Sequence, residues 1–280
     1  MKRDIILFKD DWKRFPTAIV HASTANSSFL RQAEAYQRMG INNCEFSLAL
    51  LNPDLAYVDP FHPDLPSDIK KAIGVECLNN PWYYYREIAR IEPKGGGGTL
   101  SHIRANRSIL CFLWTTMNNF NIFIVQHRQS GKSVGVNFSS NYLTNLGGRR
   151  NEISILTKDD QLRAEQIEAI KGIRDLMPDY LNPYDKRRDG DPRERLRCEL
   201  YDNTINTAVP RSSEQQARNV GRGMTSPICV IDEGPFINHI SVIVRAMLGS
   251  TTNARKEARK VGEFNYNAFI TTAGDRVDKN

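Results

Sequence analysis

Nowhere does this sequence come near the ~18 uninterrupted apolar residues that a membrane-spanning helix requires. Its basic start, Met1-Lys2-Arg3-Asp4, leads into an apolar run that ends after Phe8 at Lys9-Asp10-Asp11, which excludes a secretory signal peptide. Paired cysteines are missing too. Cys44, Cys77, Cys111, Cys198 and Cys229 are odd in number, scattered, and never spaced as Cys-x-x-Cys. That argues against a disulfide scaffold or a zinc ribbon, and a reducing cytoplasm fits best. The five histidines are equally dispersed, with no His-x-x-x-His pair to point to a transition metal. No internal repeat is present, a collagen-like or low-complexity chain is ruled out, and no membrane partner is expected.

What is there is globular: 280 residues, 40% hydrophobic and 25% charged, long enough to bury a substantial core. Lys and Arg (38) exceed Asp and Glu (32), leaving a formal net charge of +6. Such an excess is compatible with a polyanionic partner without demanding one.

The first ninety or so residues read differently from the rest. One helix is predicted over about Ser28 to Met39, followed by segments rich in proline around Pro53, Pro60, Pro63, Pro66 and Pro81. The block Pro81-Trp82-Tyr83-Tyr84-Tyr85-Arg86 could stack nucleic-acid bases, but burial of such rings on a core is the commoner explanation. Gly95-Gly96-Gly97-Gly98 marks a break, so the chain divides into a smaller N-terminal subdomain, 1–98, and a core, 99–280.

Beyond the break, apolar strands alternate with helices. Strands are predicted at 122–125, 153–156, 228–231 and 268–272, and helices at about 101–117, 133–146, 162–177 and 240–248. This is the pattern of an α/β fold, a parallel sheet covered on both faces. The stretch between Met177 and Val209 reads as a charged loop, with Lys186 to Arg195 as solvated surface rather than a DNA-contacting patch. Asp189 and Asp191 resemble a metal-binding Asp-x-Asp only superficially, and a hydrated turn is expected there.

The chemistry is concentrated in two segments. Gln126-His127-Arg128-Gln129-Ser130-Gly131-Lys132-Ser133 follows one strand and precedes a helix. It ends in the Gly-Lys-Ser of a phosphate-binding P-loop, although Gln126 stands where the first glycine would be. Lys132 would neutralise phosphate charge, Ser133 would ligate Mg²⁺, and the amides from Arg128 to Ser133 would clamp phosphates. The second segment, Ile228-Cys229-Val230-Ile231-Asp232-Glu233, ends a strand in two carboxylates about 100 residues later. Asp232 is assigned to the metal and Glu233 to the attacking water of an ATP hydrolase.

At this point the chain resembles the ATPase domain of the large terminase subunits of tailed bacteriophages, which drive DNA packaging. The likeness spans roughly residues 100 to 280. It rests on Arg128-Gln129 ahead of Gly-Lys-Ser, on Ile231-Asp232-Glu233 followed by Gly234-Pro235-Phe236-Ile237, and on Thr271-Thr272-Ala273-Gly274. Arg222-Gly223 and Leu176-Met177-Pro178-Asp179-Tyr180-Leu181 add to it. The resemblance implies a RecA-like P-loop NTPase that hydrolyses ATP with Mg²⁺ and moves double-stranded DNA into a procapsid. It further implies a homo-oligomeric ring docked on a portal protein, recruitment by a small terminase subunit, and action in the host-cell cytoplasm.

By the same resemblance, Thr271 and Thr272 sense the terminal phosphate, the alternative being that they are β-formers at a strand end. Arg128 is an arginine finger acting within its own subunit, the alternative being a salt bridge. Arg222, read as lying in a flexible Gly-flanked loop, is the rival finger acting on the next subunit. The family's adenine-reading Gln-Arg pair has its nearest equivalent in Asn106-Arg107, and Ala273 replaces a common proline. No nuclease activity is expected in this chain. A helicase-like DNA-dependent ATPase and a non-catalytic nucleotide-binding assembly module are the rival readings.

Overall fold

Parallel strands flanked by helices must bury both sheet faces, and the structure does this with helices on each side. The computed structural model describes residues 6–7, 10–11, 15–41, 44–92, 100–127, 130–210 and 212–272. Short antiparallel pairs form early: β1 (Ile6–Leu7) with β2 (Asp10–Asp11), β3 (Ile19–Val20) with β4 (Ala49–Leu50), and β5 (Arg90–Ile91) with β6 (Ser101–His102). Around them lie α1 (Ser27–Arg38), α2 (Ser67–Asn79) and the single turn α3 (Pro81–Tyr83), which widens into a π-turn over Tyr84–Ile88. Next come α4 (Arg107–Met117), β7 (Ile122–Gln126), α5 (Lys132–Tyr142), β8 (Glu152–Leu156) and α6 (Asp160–Asp175). Then α7 (Lys186–Asp189), β9 (Arg195–Cys198), β10 (Asn203–Ala208), α8 (Glu214–Gly223), β11 (Ile228–Asp232), α9 (Ile240–Lys260) and β12 (Tyr266–Thr272) complete the order.

The main sheet has the order β7-β12-β11-β8-β10-β9, parallel throughout except for the antiparallel edge strand β9. This is the α/β, mainly parallel architecture expected from the sequence. One apolar cluster runs from Ala18 to Ile270 and includes residues from both sides of the glycine break, which itself lies outside the described residues. A second cluster, around Ile231, Ile243 and Met247, packs α8 and α9 on the opposite sheet face. Among the described residues, no helix is long and apolar enough to cross a membrane.

The aromatic block is interior. Trp82, Tyr83, Tyr84 and Tyr85 are buried, with Trp82 edge-on to Phe46 and Tyr85. Tyr84 Oη donates to Asn141 at 2.5 Å, which ties the block to α5, and Tyr142 Oη of α5 donates to the Cys77 carbonyl of α2 at 3.1 Å. The packing explanation holds, and base stacking does not.

Several expectations are corrected. Residues 101–102 are strand rather than helix, and α4 starts only at Arg107, where Asn106 Oδ1 accepts from the Ile109 amide and caps it. The presumed charged loop contains β9 and β10. Strand β10 escapes a hydrophobicity reading because its buried Asn203 is satisfied by the Leu143, Thr144 and Gly148 carbonyls. Asp189 is not in a hydrated turn: it is buried and accepts from the Asp185 and Glu199 amides, while Asp191 pairs with Lys171 at 2.8 Å.

Helices α2 and α8 were not anticipated, and α9 continues to Lys260 because Met247, Thr251 and Ala258 keep one side buried. Gly221 and Gly223 are not a flexible loop but the end of α8. A Cβ at Gly221 would come 2.3 Å from the Ile243 carbonyl oxygen, so glycine there serves the close approach of α8 to α9.

Candidate active site

The C-terminal edge of a parallel sheet is where loops and helix N-termini converge. At this edge, β12 lies between β7 and β11, so its last residues separate the Gly-Lys-Ser loop from the two carboxylates. The loop follows β7, and Gly131 adopts φ 88° before α5 begins at Lys132. Only glycine takes that left-handed turn at no steric cost. A Cβ there would also sit 3.0 Å from Ile109 Cδ1. The turn aims the first amides of α5, and the positive end of its dipole, into the cleft.

Lys132 Nζ reaches the Gln126 carbonyl at 3.3 Å, the His127 carbonyl at 3.1 Å and Thr272 Oγ1 at 3.4 Å. Ser133 Oγ donates to Asp232 Oδ2 at 3.4 Å. Asp232 is buried, and its other oxygen, Oδ1, has no hydrogen-bond partner. Burial, reinforced by the neighbouring charge of Glu233, pushes the Asp232 carboxyl up to about 6. An unpartnered buried carboxylate oxygen beside a hydroxyl fits a hard divalent cation, which takes oxygen ligands and keeps much of its water.

Glu233 has φ 57°, a left-handed backbone that non-glycine residues seldom adopt. Both of its carboxylate oxygens are held: Oε1 by Thr272 Oγ1 at 2.6 Å, and Oε2 by the Thr272 amide at 3.1 Å and Thr271 Oγ1 at 3.3 Å. Burial raises the carboxyl, but the Thr272 bonds, the Lys132 charge and Thr271 together bring it below the ordinary glutamate value. The side chain is therefore an anion that accepts hydrogen bonds.

A cleft of about 490 Å³ opens over these groups. Ser130 to Val134, of the loop and the start of α5, line it together with Glu233, Thr272, Lys158, Leu162 and Phe236. The sequence-predicted residues Ser130, Gly131, Lys132, Ser133, Asp232, Glu233, Thr271 and Thr272 thus converge. Asn106 Nδ2 lies 3.7 Å from where a Gly131 Cβ would stand, beside the loop, although its Oδ1 is engaged in capping α4. Arg128 and Gln129 lie outside the described residues. Arg222 is exposed in the last turn of α8 and does not line the cleft.

Sequence reasoning missed Lys158, Leu162 and Phe236 as lining residues. A signal was available in principle for Lys158, which stands just beyond the end of a parallel strand, where such sheets bind ligands.

No protein-family model matches the chain. No curated protein matches it either. Among solved structures, the HK97 bacteriophage large terminase superposes on 71% of this chain and 37% of its own, with a TM-score of 0.46 and 11% identity. The chain thus spans little more than a third of that structure's length, and a likeness at this level decides nothing about activity.

Proposed function

We propose that the chain is a Mg²⁺-dependent ATP hydrolase, the ATPase domain of a viral DNA-packaging large terminase. The observation that carries the hydrolase reading is the continuous chain of contacts Lys132–Thr272–Glu233, beside the pair Ser133–Asp232, under the N-terminus of α5. The DNA-packaging assignment rests on the sequence resemblance.

In this reading the amides of 130–133 and the Lys132 ammonium bind the β- and γ-phosphates, and Ser130 Oγ, buried and unpartnered, is a further donor. Ser133 and Asp232 would hold Mg²⁺, which neutralises charge on the phosphate oxygens when bound. Glu233, ionised and fixed by Thr271 and Thr272, orients the attacking water and accepts its proton. Asn106 borders the base, and Arg128 supplies the finger. Double-stranded DNA, a portal protein, a small terminase subunit and ring assembly on a procapsid complete the proposal.

Steady-state phosphate release with MgATP, with and without double-stranded DNA, tests it. Slow Mg²⁺-dependent release that Lys132→Ala abolishes is expected. Unchanged release by that variant removes the P-loop assignment, and strand separation by the purified chain would favour a helicase.

A further inference from the structure

We propose that Lys158 is a second phosphate-binding cation of the cleft, contacting the terminal phosphate and making the site discriminate nucleoside triphosphate from diphosphate. The inference rests on the ATPase reading and extends it to a residue that no phosphate-loop pattern contains.

Position comes first. Strand β8 pairs in parallel with β11, and the last registered pair is Leu156 beside Ile231. Lys158 comes two residues after Leu156 and Glu233 two residues after Ile231, so both follow the ends of neighbouring parallel strands at the same edge of the sheet. Adjacent strands are only about 4.8 Å apart. Both residues line the same cleft, and among its described lining residues Lys132 and Lys158 are the cations.

Direction comes second. Asn106 and α4 flank the loop on one side, where Asn106 stands against Gly131. Lys158 flanks the cleft on the other side, beyond the carboxylates. A nucleotide with its phosphates on the α5 amides and its terminal phosphate at Glu233 would bring that phosphate to the β11 and β8 side of the cleft, which Lys158 also lines. A diphosphate lacks the group that would reach it.

Availability comes third. The Lys158 side chain is 47% exposed, and its recorded ion pair is with Asp159 Oδ2 at 3.8 Å, on a carboxylate 49% exposed. The other oxygen of Asp159 is already committed to the Leu162 amide as the cap of α6. An exposed, long ion pair contributes little, whereas a multiply charged phosphate in a half-enclosed cleft is a stronger partner for an ammonium on a flexible stem.

The experiment compares affinities of the full chain for a non-hydrolysable ATP analogue and for ADP, both with Mg²⁺, in wild type, Lys158→Ala, Lys158→Arg and Lys132→Ala. Lys158→Ala should weaken the triphosphate analogue about 10-fold and ADP less than about 2-fold, the loss expected for one charge-assisted contact. Lys158→Arg should recover most of the difference, and thermal unfolding without nucleotide should be unchanged. An unaltered triphosphate-to-diphosphate ratio in Lys158→Ala, with Lys132→Ala failing to bind either nucleotide, overturns the role of Lys158 alone. Wild type binding neither nucleotide, or Lys132→Ala binding both normally, overturns the underlying ATPase reading and Lys158 with it.

Discussion

Thr272 holds Glu233 by both carboxylate oxygens, through its hydroxyl at 2.6 Å and its own amide at 3.1 Å. The same hydroxyl oxygen is reached by the Lys132 ammonium at 3.4 Å. One side chain therefore couples the Gly-Lys-Ser loop to the acid that would orient water. The Glu233 backbone is pinned as well, its amide donating to the Ile270 carbonyl at 2.7 Å. These bonds offset a left-handed φ that costs on the order of 1–3 kcal/mol.

Thr272→Val removes the hydroxyl but keeps the amide bond and nearly the shape. A hydrogen bond to a charged group contributes about 1.5–3 kcal/mol, so turnover should fall roughly 10- to 100-fold with nucleotide affinity little changed. Thr272→Ser should restore much of it, and Thr271→Val, losing a longer 3.3 Å bond, should cost less. Steady-state kinetics of the three variants decide. Full activity of Thr272→Val would mean that the backbone alone orients Glu233.

Glu233→Gln should bind ATP as the wild type does and hydrolyse it at least ~100-fold more slowly, as loss of a positioned base does. Nucleotide binding and single-turnover hydrolysis separate the two effects. Loss of binding together with turnover would make Glu233 structural or a metal ligand.

In metal-free buffer, Asp232 should make stability pH-dependent. Its folded-state value of about 6 lies above the 3.8 of the unfolded chain, so the folded state keeps a proton that the unfolded state releases. Stability therefore falls as pH rises from roughly 4 to 6. Asp232→Asn lacks this loss and should gain on the order of 1–3 kcal/mol relative to wild type between pH 4 and 7. Urea unfolding in chelator measures it, and Mg²⁺ should narrow the gap by stabilising only the wild type. Parallel pH profiles for the two proteins would contradict the assignment.

The two candidate arginine fingers differ in position along the chain. Arg128 precedes Lys132 by four residues and can serve its own nucleotide, whereas Arg222 is exposed at the end of α8, away from the cleft lining. Arg128→Ala should lose activity at all protein concentrations, by roughly 10³–10⁵ if it acts as a full finger. Mixing it with Lys132→Ala should restore nothing. Recovery in the mixture would show action between subunits, and a fully active Arg128→Ala would move the assignment to Arg222.

Arg86 is fully buried, its Nε on Glu87 Oε1 at 2.8 Å and its Nη atoms on the Ser47 and Ala49 carbonyls and His21 Nδ1. Arg86→Ala strands the Glu87 carboxylate in the interior and should destabilise by about 3–5 kcal/mol. Glu87→Gln, which can still accept from Arg86, should cost clearly less. Chemical denaturation ranks the two, and equal losses would assign the effect to packing.

The order of the candidate-site segments was legible in the sequence because each is local. Ile228 to Ile231 is an apolar run ending in Asp232-Glu233, and Gly131-Lys132-Ser133 is a turn whose conformation depends on its own glycine. Periodicity likewise marked β7, β8, α5 and α6 to within a few residues. Tertiary structure decided what no window contains. Strand β10 exists because the Asn203 amide finds three carbonyls near 143–148, and α9 outruns its propensity because Thr251 and Ala258 stay buried.

It also inserted β12 between β7 and β11, bringing Thr272 onto Glu233 across 39 residues and onto Lys132 across 140. Lys158 came into the cleft by the pairing of β8 with β11. Local pattern fixes which residue types stand at strand ends and helix starts. Which ends become neighbours depends on strand order, and that is a property of the whole chain's burial.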